Sequence, residues 1–506
     1  MIGLVAAALA GSLCAWLGFA PTGWWWFPYF GLAVLAALLA RSRGIVRGAL
    51  LGFAFGLGYF MAGVSWVRVS MNEFGGMPLT LAWLSAALFC AFLALYVALA
   101  CAVTAWAMGG RRRPWRALPF ALVFAAAWTL SESLRAHLFT GFEWLALGSS
   151  QLGPFAPSPL AAIFGQLGLS AWVAVVAGYL GCAAAVADTP RARWWVLARV
   201  VPCLFVSGWL SLLHPAEWFT EPVGPPLSVS LVQGNVAQSM KWEPAKFIDT
   251  VERYGRLVQA SRGALIILPE TAYPAPLSRL PPEALEALRR HAVDRGGNVL
   301  FGVPQVDGGR FHNAAVTLGV DPAQQYRKVH LVPFGEYMPL RGPLAWFYAN
   351  LNIPMSDFTA GERVQSPLAV GGQHLGISIC YEDAFARDVR RTLPEATLLV
   401  NLSNDAWFGH SAAAEQHLQL AQMRAIESAR PMLRANNTGV TAIVDERGRL
   451  SARLPGFAEG VLEASVQGRR GATPYVRFGD WPMWLAALAI LAHAALRRRR
   501  DGRQGS

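Results

Sequence analysis

"LGISICYED", residues 375–383, runs apolar on nearly every position to Cys380 and then turns abruptly to Tyr381, Glu382 and Asp383. A short run without polar alternation reads as a strand buried on both faces, and such strands belong to sheets covered by helices. The same texture recurs in "LSVSLVQGN", "ALIILPE", "NVLFGVP", "NAAVTLG", "TLLVNLSND" and "GVTAIVDERG". Between these runs lie helical patterns at 282–295, stopped by Gly296–Gly297, and at about 412–430, stopped by Pro431. Residues 227–465 therefore read as an α/β domain.

Outside that domain the chain changes character. Over all 506 residues 54% are hydrophobic and 15% charged, too apolar for one water-soluble core. Stretches near the roughly 20 residues needed to cross a bilayer occur at 2–20, 23–40, 47–67, 79–108, 117–138, 159–187, 194–213 and 481–496, so eight spans are expected. The first lacks a basic start and runs into further spans, so it is expected to stay in the mature protein. The reading gives a seven-span bundle over 1–213, a polar domain over 214–480, and an eighth span with a basic tail over 481–506.

The formal net charge of +12 raises the question of nucleic acid. The arginines answer it by their positions: Arg41, Arg43 and Arg47, then Arg111–Arg113 and Arg116, then Arg191 and Arg193, then Arg497–Arg500, each group in every second short loop. By the positive-inside rule those loops and both termini are cytoplasmic and 214–480 lies on the outer side. No base-reading motif accompanies the charge, so no nucleic-acid partner is expected. The cluster "GWWWFPYF" at 23–30 reads as an interfacial aromatic belt, and Glu132 with Arg135 as an ion pair or headgroup contact late in the fifth span.

Five of six cysteines (Cys14, Cys90, Cys101, Cys182, Cys203) fall in expected spans, leaving Cys380 alone in the outer domain. There it has no disulfide partner and no second thiol for a metal site, so neither metal nor cofactor is expected. Cys380 is either a buried core cysteine or a nucleophile; the adjacent acids and the turn favour the nucleophile. Only three of 43 basic residues are lysines, Lys241, Lys246 and Lys328. In so arginine-rich a chain, Lys328 in "QQYRKVHLVPFGEY" suggests a site that needs a compact ammonium. Glu270 ends "ALIILPE", where it could cap a helix or, in a partly desolvated pocket, take a thiol proton. Asn404 and Asp405 end another run. A base, a point charge and a thiol are the equipment of acyl transfer through a thioester.

Glu270 in "LPE", Lys328 in "YRKVHLVPFGEYMP" and Cys380 in "ISICYED" resemble the Glu–Lys–Cys triad of the nitrilase superfamily of carbon–nitrogen hydrolases. More narrowly, "LVQGNVAQSMKWEP", "LSNDAWFG" and "QMRAIESARPMLRANNTGVTAIV", with the eight-span layout, resemble its apolipoprotein N-acyltransferase family. The resemblance implies a nitrilase-like αββα sandwich on the periplasmic side of a bacterial inner membrane. It implies a phospholipid as acyl donor and a diacylglyceryl apolipoprotein as acceptor. Glu270 would be the base, Lys328 the oxyanion stabiliser and Cys380 the nucleophile. Glu336 matches a further glutamate that could orient Lys328 or substrate, Tyr381 and Glu382 would shape the pocket, and Trp242 and Trp407 match tryptophans tied to lipid handling; Asp383 departs from the family pattern and is expected to shape the pocket only from its place beside Glu382. Nothing in it requires more than a monomer. A membrane-anchored amidase using the same triad, and a silent scaffold that only binds lipoproteins, are the alternatives.

Overall fold

The computed structural model describes residues 1–109, 117–187, 198, 202–203, 205–238, 244–339, 342 and 357–503. Two compact units form: one from Met1–Arg68, Trp83–Pro215 and Arg477–Ser506, the other from Val69–Ala82 and Ala216–Val476.

The first unit is helical. Its helices of ten residues or more are α1 (Ile2–Gly18), α2 (Phe27–Arg41), α3 (Ile45–Val64), α4 (Leu79–Met108, from Trp83 onward), α5 (Ala117–His137) and α6 (Ala161–Ala185), with Trp481–Arg503 packed along α5. Small residues let the backbones approach: a methyl at Gly11 of α1 would fall 2.1 Å from the carbonyl oxygen of Phe55 on α3. Close packing of this kind holds helices together where lipid removes the hydrophobic drive. On α4 the outward side is itself apolar, with Leu84, Leu88, Phe92, Leu95 and Leu99 38% to 62% exposed, while Ala86, Cys90, Leu93 and Val97 are buried. A helix apolar all round suits lipid rather than water.

The expectation of eight spans is corrected here. Among the described residues four helices are long and apolar enough to cross a membrane, Ile45–Val64, Leu79–Met108 and, with adjoining 3-10 turns, Ala117–Thr140 and Ser158–Ala185. Ile2–Gly18 and Phe27–Arg41 are apolar but only 17 and 15 residues long, because "APTGWWW" interrupts the run between them. The helix Trp481–Arg503 loses its apolar character at Arg497–Arg500. Of the stretch 194–213, residues 198, 202–203 and 205–213 are described, with helix over 205–210.

The second unit is a two-sheet sandwich. Its strands are β1 (Thr220–Pro222), β2 (Leu227–Gln233), β3 (Leu265–Ile267), β4 (Asn298–Asp307), β5 (Arg310–Gly319), β6 (Gln325–Arg327) and β7 (Leu368–Val370). They are followed by β8 (Gln373–Ile379), β9 (Leu398–Ser403), β10 (Met432–Asn436), β11 (Ala442–Val444), β12 (Leu450–Arg453), β13 (Gly460–Val466) and β14 (Arg469–Gly471). One six-stranded sheet runs β13-β2-β3-β4-β5-β6 and the other β12-β11-β10-β9-β8-β7, while β1 and β14 pair separately. At the centre of each, β2-β3-β4 and β8-β9-β10 are parallel.

The two sheets share one core because alternate residues point to opposite faces. Leu265 and Ile267 of β3 meet Ile377, Ile379, Leu398, Val400 and Leu402 between the sheets. Ile266 points the other way, into a second core under α7 (Phe247–Ala260) and α8 (Pro282–Asp294). On the other sheet Leu399 faces outward to Leu418, Ala421 and Ala425 of α9 (Ala413–Ser428). The order helix, sheet, sheet, helix is the expected αββα arrangement, and burial on both faces explains the unbroken apolar runs.

Candidate active site

Three strand ends deliver the triad residues. Glu270 lies three residues beyond β3, Lys328 directly follows β6, and Cys380 directly follows β8. Gly302 of β4 makes room for the first of these, since a methyl there would sit 2.7 Å from the Cα of Glu270. Cys380 opens the 3-10 turn Cys380–Ala384 with φ +54°, a left-handed conformation that costs an L residue roughly 1–2 kcal/mol. The turn breaks the strand there, ending β8 at the residue that carries the thiol.

Lys328, 1% exposed, is the hub. Its ammonium donates to both oxygens of Glu336, at 2.9 Å and 2.8 Å, and lies 3.7 Å from Oε1 of Glu270. The side-chain amide of Asn313 on β5 bridges the two carboxylates, donating to Oε1 of Glu270 at 2.7 Å and of Glu336 at 3.0 Å. The backbone of Lys328 is fixed by the same residue, its N–H donating to the Asn313 carbonyl at 2.8 Å. Burial alone would lower the lysine pKa, but the charges of Glu336 and Glu270 outweigh it and hold the ammonium above its ordinary range.

The thiol is set the opposite way. Burial, then the charge of Glu270, pushes the Cys380 pKa well above its usual value, with Lys328 opposing. A resting thiol rather than a thiolate follows at neutral pH, so attack requires a base.

Glu382 ties the lysine segment to the cysteine turn. One carboxylate oxygen accepts the N–H groups of Val329 at 2.7 Å and His330 at 2.9 Å, the other that of Ile379 at 2.7 Å, and the Tyr326 hydroxyl donates to both. Burial pushes its pKa up to about 7 against those hydrogen bonds. Tyr381 is half-buried with its ring edge-on to Phe385, 4.9 Å between centroids.

Asp383 does not shape the pocket, contrary to its expected role. It is fully buried beneath the turn, where it accepts from His417 at 2.7 Å and Arg434 at 3.1 Å. Asp405 accepts from His417 Nδ1 at 2.8 Å, from Arg434 Nη2 at 2.9 Å and from Asn436 at 2.6 Å. An imidazole with a carboxylate at each nitrogen carries both protons. Burial and Arg434 disfavour that charge, yet Asp383 and Asp405 push the His417 pKa up to about 9. Above this network the carbonyl of Cys380 faces Asn401 Nδ2 at 3.1 Å and His417 Nε2 at 3.2 Å.

The network makes a pH prediction. A histidine raised from 6.5 to about 9 contributes its stability in full below pH 6.5 and loses it as the pH rises to about 9. The loss is roughly 3 kcal/mol by the linkage relation. Thermal unfolding of the wild type should therefore fall across that window, and the slope should flatten in His417→Gln.

The remaining expected residues separate. Trp407 stands edge-on to Phe74, 5.8 Å between centroids, and its carbonyl accepts from Ser70 at 2.7 Å, both partners belonging to the same unit. Asn404 turns away to Gln238 and Asn437. Trp242 lies outside the described residues. In the helical unit Glu132 accepts from Trp128 at 3.1 Å, from Ser170 and from the Leu147 N–H at 3.2 Å, while Arg135, 4.0 Å away, donates to the carbonyls of Phe142 at 2.7 Å and Trp144 at 2.6 Å. That pair pins the 142–147 loop. Asn313, His417 and Arg434 escaped the sequence reading, although a polar residue inside an apolar strand ("FHNAAV", "MLRAN") marks two of them.

Comparison with known proteins agrees with both units. The model of the apolipoprotein N-acyltransferase N-terminal domain matches residues 11–179, and that of carbon–nitrogen hydrolase matches 228–475. An apolipoprotein N-acyltransferase of Nitrosomonas europaea is 43% identical over 96% of this chain and 96% of its own. Those of Ralstonia nicotianae and Methylococcus capsulatus are 41% and 42% identical over 98% of this chain and 94% and 96% of theirs. With matches to both units and identity sustained along almost the whole length, the chain belongs to the apolipoprotein N-acyltransferase family of enzymes.

Proposed function

We propose that this protein moves an acyl chain from a phospholipid to the N-terminal amine of a diacylglyceryl-cysteine on an apolipoprotein, through a thioester on Cys380. The observation that carries the reading is the buried Lys328 ammonium held between Glu270 and Glu336 beside a thiol that stays protonated at rest. Glu270 takes the thiol proton as sulfur attacks the ester carbonyl, and Lys328 stabilises the developing oxyanion. The ester C–O bond breaks, Glu270 returns the proton to the leaving alkoxide, and a lysophospholipid departs. The lipoprotein amine then attacks the thioester; the C–S bond breaks, the amine proton returns to sulfur through Glu270, and an amide is left. Glu336 and Asn313 position the lysine, Glu382 positions the turn, Tyr381 shapes the pocket, and Trp407 and Trp242 serve lipid handling.

The same reading places the protein in the inner membrane of a bacterium, as a monomer with both termini cytoplasmic. It divides the chain into a membrane bundle over 1–213, a periplasmic domain over 214–480 and a further apolar helix with a basic tail over 481–506. The alternating arginine loops support that topology.

The test is incubation of the purified protein with phospholipid carrying a labelled acyl chain. Hydroxylamine-sensitive label on Cys380 is expected, and a diacylated lipopeptide should then carry it off as an amide. Glu270→Gln should slow the first step at least ~100-fold. Absence of any thioester would refute the mechanism, and release only as free acid would make the protein a hydrolase.

A further inference from the structure

The helical unit contains a cavity of about 920 Å³ where the start of α3, the end of α4 and the arginine run after residue 496 converge. Arg43, Arg47 and Arg498 line it together with apolar Ile45 and Leu50, and no acidic residue does among the described residues. Arg498 is already engaged, its guanidinium over the Trp106 ring at 5.1 Å and donating to the Trp106 carbonyl. Arg43 and Arg47 are exposed and have no hydrogen-bond or ion-pair partner among the described residues. The N-terminus of the 20-residue α3 opens at Ile45 without a side-chain cap, which adds free N–H groups and a positive dipole end to the same place.

From this cavity we infer a binding site for an anionic glycerophospholipid, with its phosphate on Arg43, Arg47 and the first turn of α3 and its acyl chains along Ile45 and Leu50. Three features select that chemistry. Guanidinium groups bind phosphate bidentately, and basic pockets between membrane helices recognise anionic headgroups. A zwitterionic headgroup would bring an ammonium to a site with no carboxylate to meet it. The volume far exceeds what a free phosphate fills, and the exposed Ile45, Val46 and Leu50 offer an apolar edge that a free phosphate would not use. The site shares no residue with the triad, so it is an addition to the acyl-donor pocket.

The experiment is native mass spectrometry of the full chain released from nanodiscs of equimolar phosphatidylglycerol and phosphatidylcholine. The wild type should retain phosphatidylglycerol at least several-fold over phosphatidylcholine, and Arg43→Gln/Arg47→Gln should cut that retention roughly ten-fold. Thioester formation on Cys380 should be unchanged in the variant. Equal retention of the two lipids by the wild type, or full retention by the variant, overturns the inference. So does displacement of the lipid by millimolar inorganic phosphate, which would make the site one for the free anion. If the variant does not insert, the wild-type preference and the phosphate competition still decide.

Discussion

Lys328→Met is expected to reduce acyl-enzyme formation by ~1,000-fold or more, the largest effect of any substitution short of removing Cys380 itself. Two losses combine. The tetrahedral oxyanion forfeits its one buried cation, and removal of a single preorganised donor commonly costs 10²–10³ in rate. The second loss concerns the ground state. Glu270 and Glu336 share the Asn313 amide and the Lys328 ammonium, so without the ammonium two nearly buried carboxylates face each other uncompensated. That repulsion disorders the base and its neighbour before substrate arrives. Single-turnover labelling with excess phospholipid separates the terms. Lys328→Met/Glu336→Gln should recover part of the lost rate, because one of the two uncompensated carboxylates is gone. A Lys328→Met enzyme that still labels within ten-fold of wild type would rule out the assigned role.

Arg434→Met should destabilise the sandwich unit by about 3–5 kcal/mol, the range for breaking a buried ion pair from one side. The arginine is fully buried and pairs with both Asp383 and Asp405. Truncation leaves two carboxylates against a single imidazolium. The expected readout is loss of protease resistance in the second unit. The triple replacement Arg434→Met/Asp383→Leu/Asp405→Leu should be less damaging than the single change if uncompensated charge is the cause. An unchanged unfolding profile for Arg434→Met would show the network to be energetically silent.

How legible these features were in the sequence follows from which forces write on it. Strands buried on both faces leave unbroken apolar runs, so β2, β3, β4, β5, β8, β9 and β11 could be read directly. β10 could not, because Arg434 interrupts "MLRAN", and β12 and β13 could not, because exposed residues dilute their pattern. Glu270, Lys328 and Cys380 stood out as odd chemistry at run ends. Of the partners that hold them, Glu336 was reached only through the family resemblance and Asn313 not at all, since its meaning appears only when β5 is brought to Lys328. Glu382 and Asp383 show the same limit. Two neighbouring acids look equivalent in sequence, yet the turn sends one to the backbone of the lysine segment and the other beneath the nucleophile. Counting apolar windows likewise overstated the spans, because window length ignores where a proline-containing break or an arginine run ends the helix.

A protonated thiol has a consequence for survival as well as for rate. The thiolate is the form that reacts with peroxide, alkylating agents and disulfides, so a partly accessible cysteine that keeps its proton presents a poor target. Cys380, whose proton is held by burial and the nearby Glu270 charge, is shielded chemically as well as sterically. The sulfur of Cys380 thus stays quiet at rest and becomes a nucleophile only when a base takes its proton.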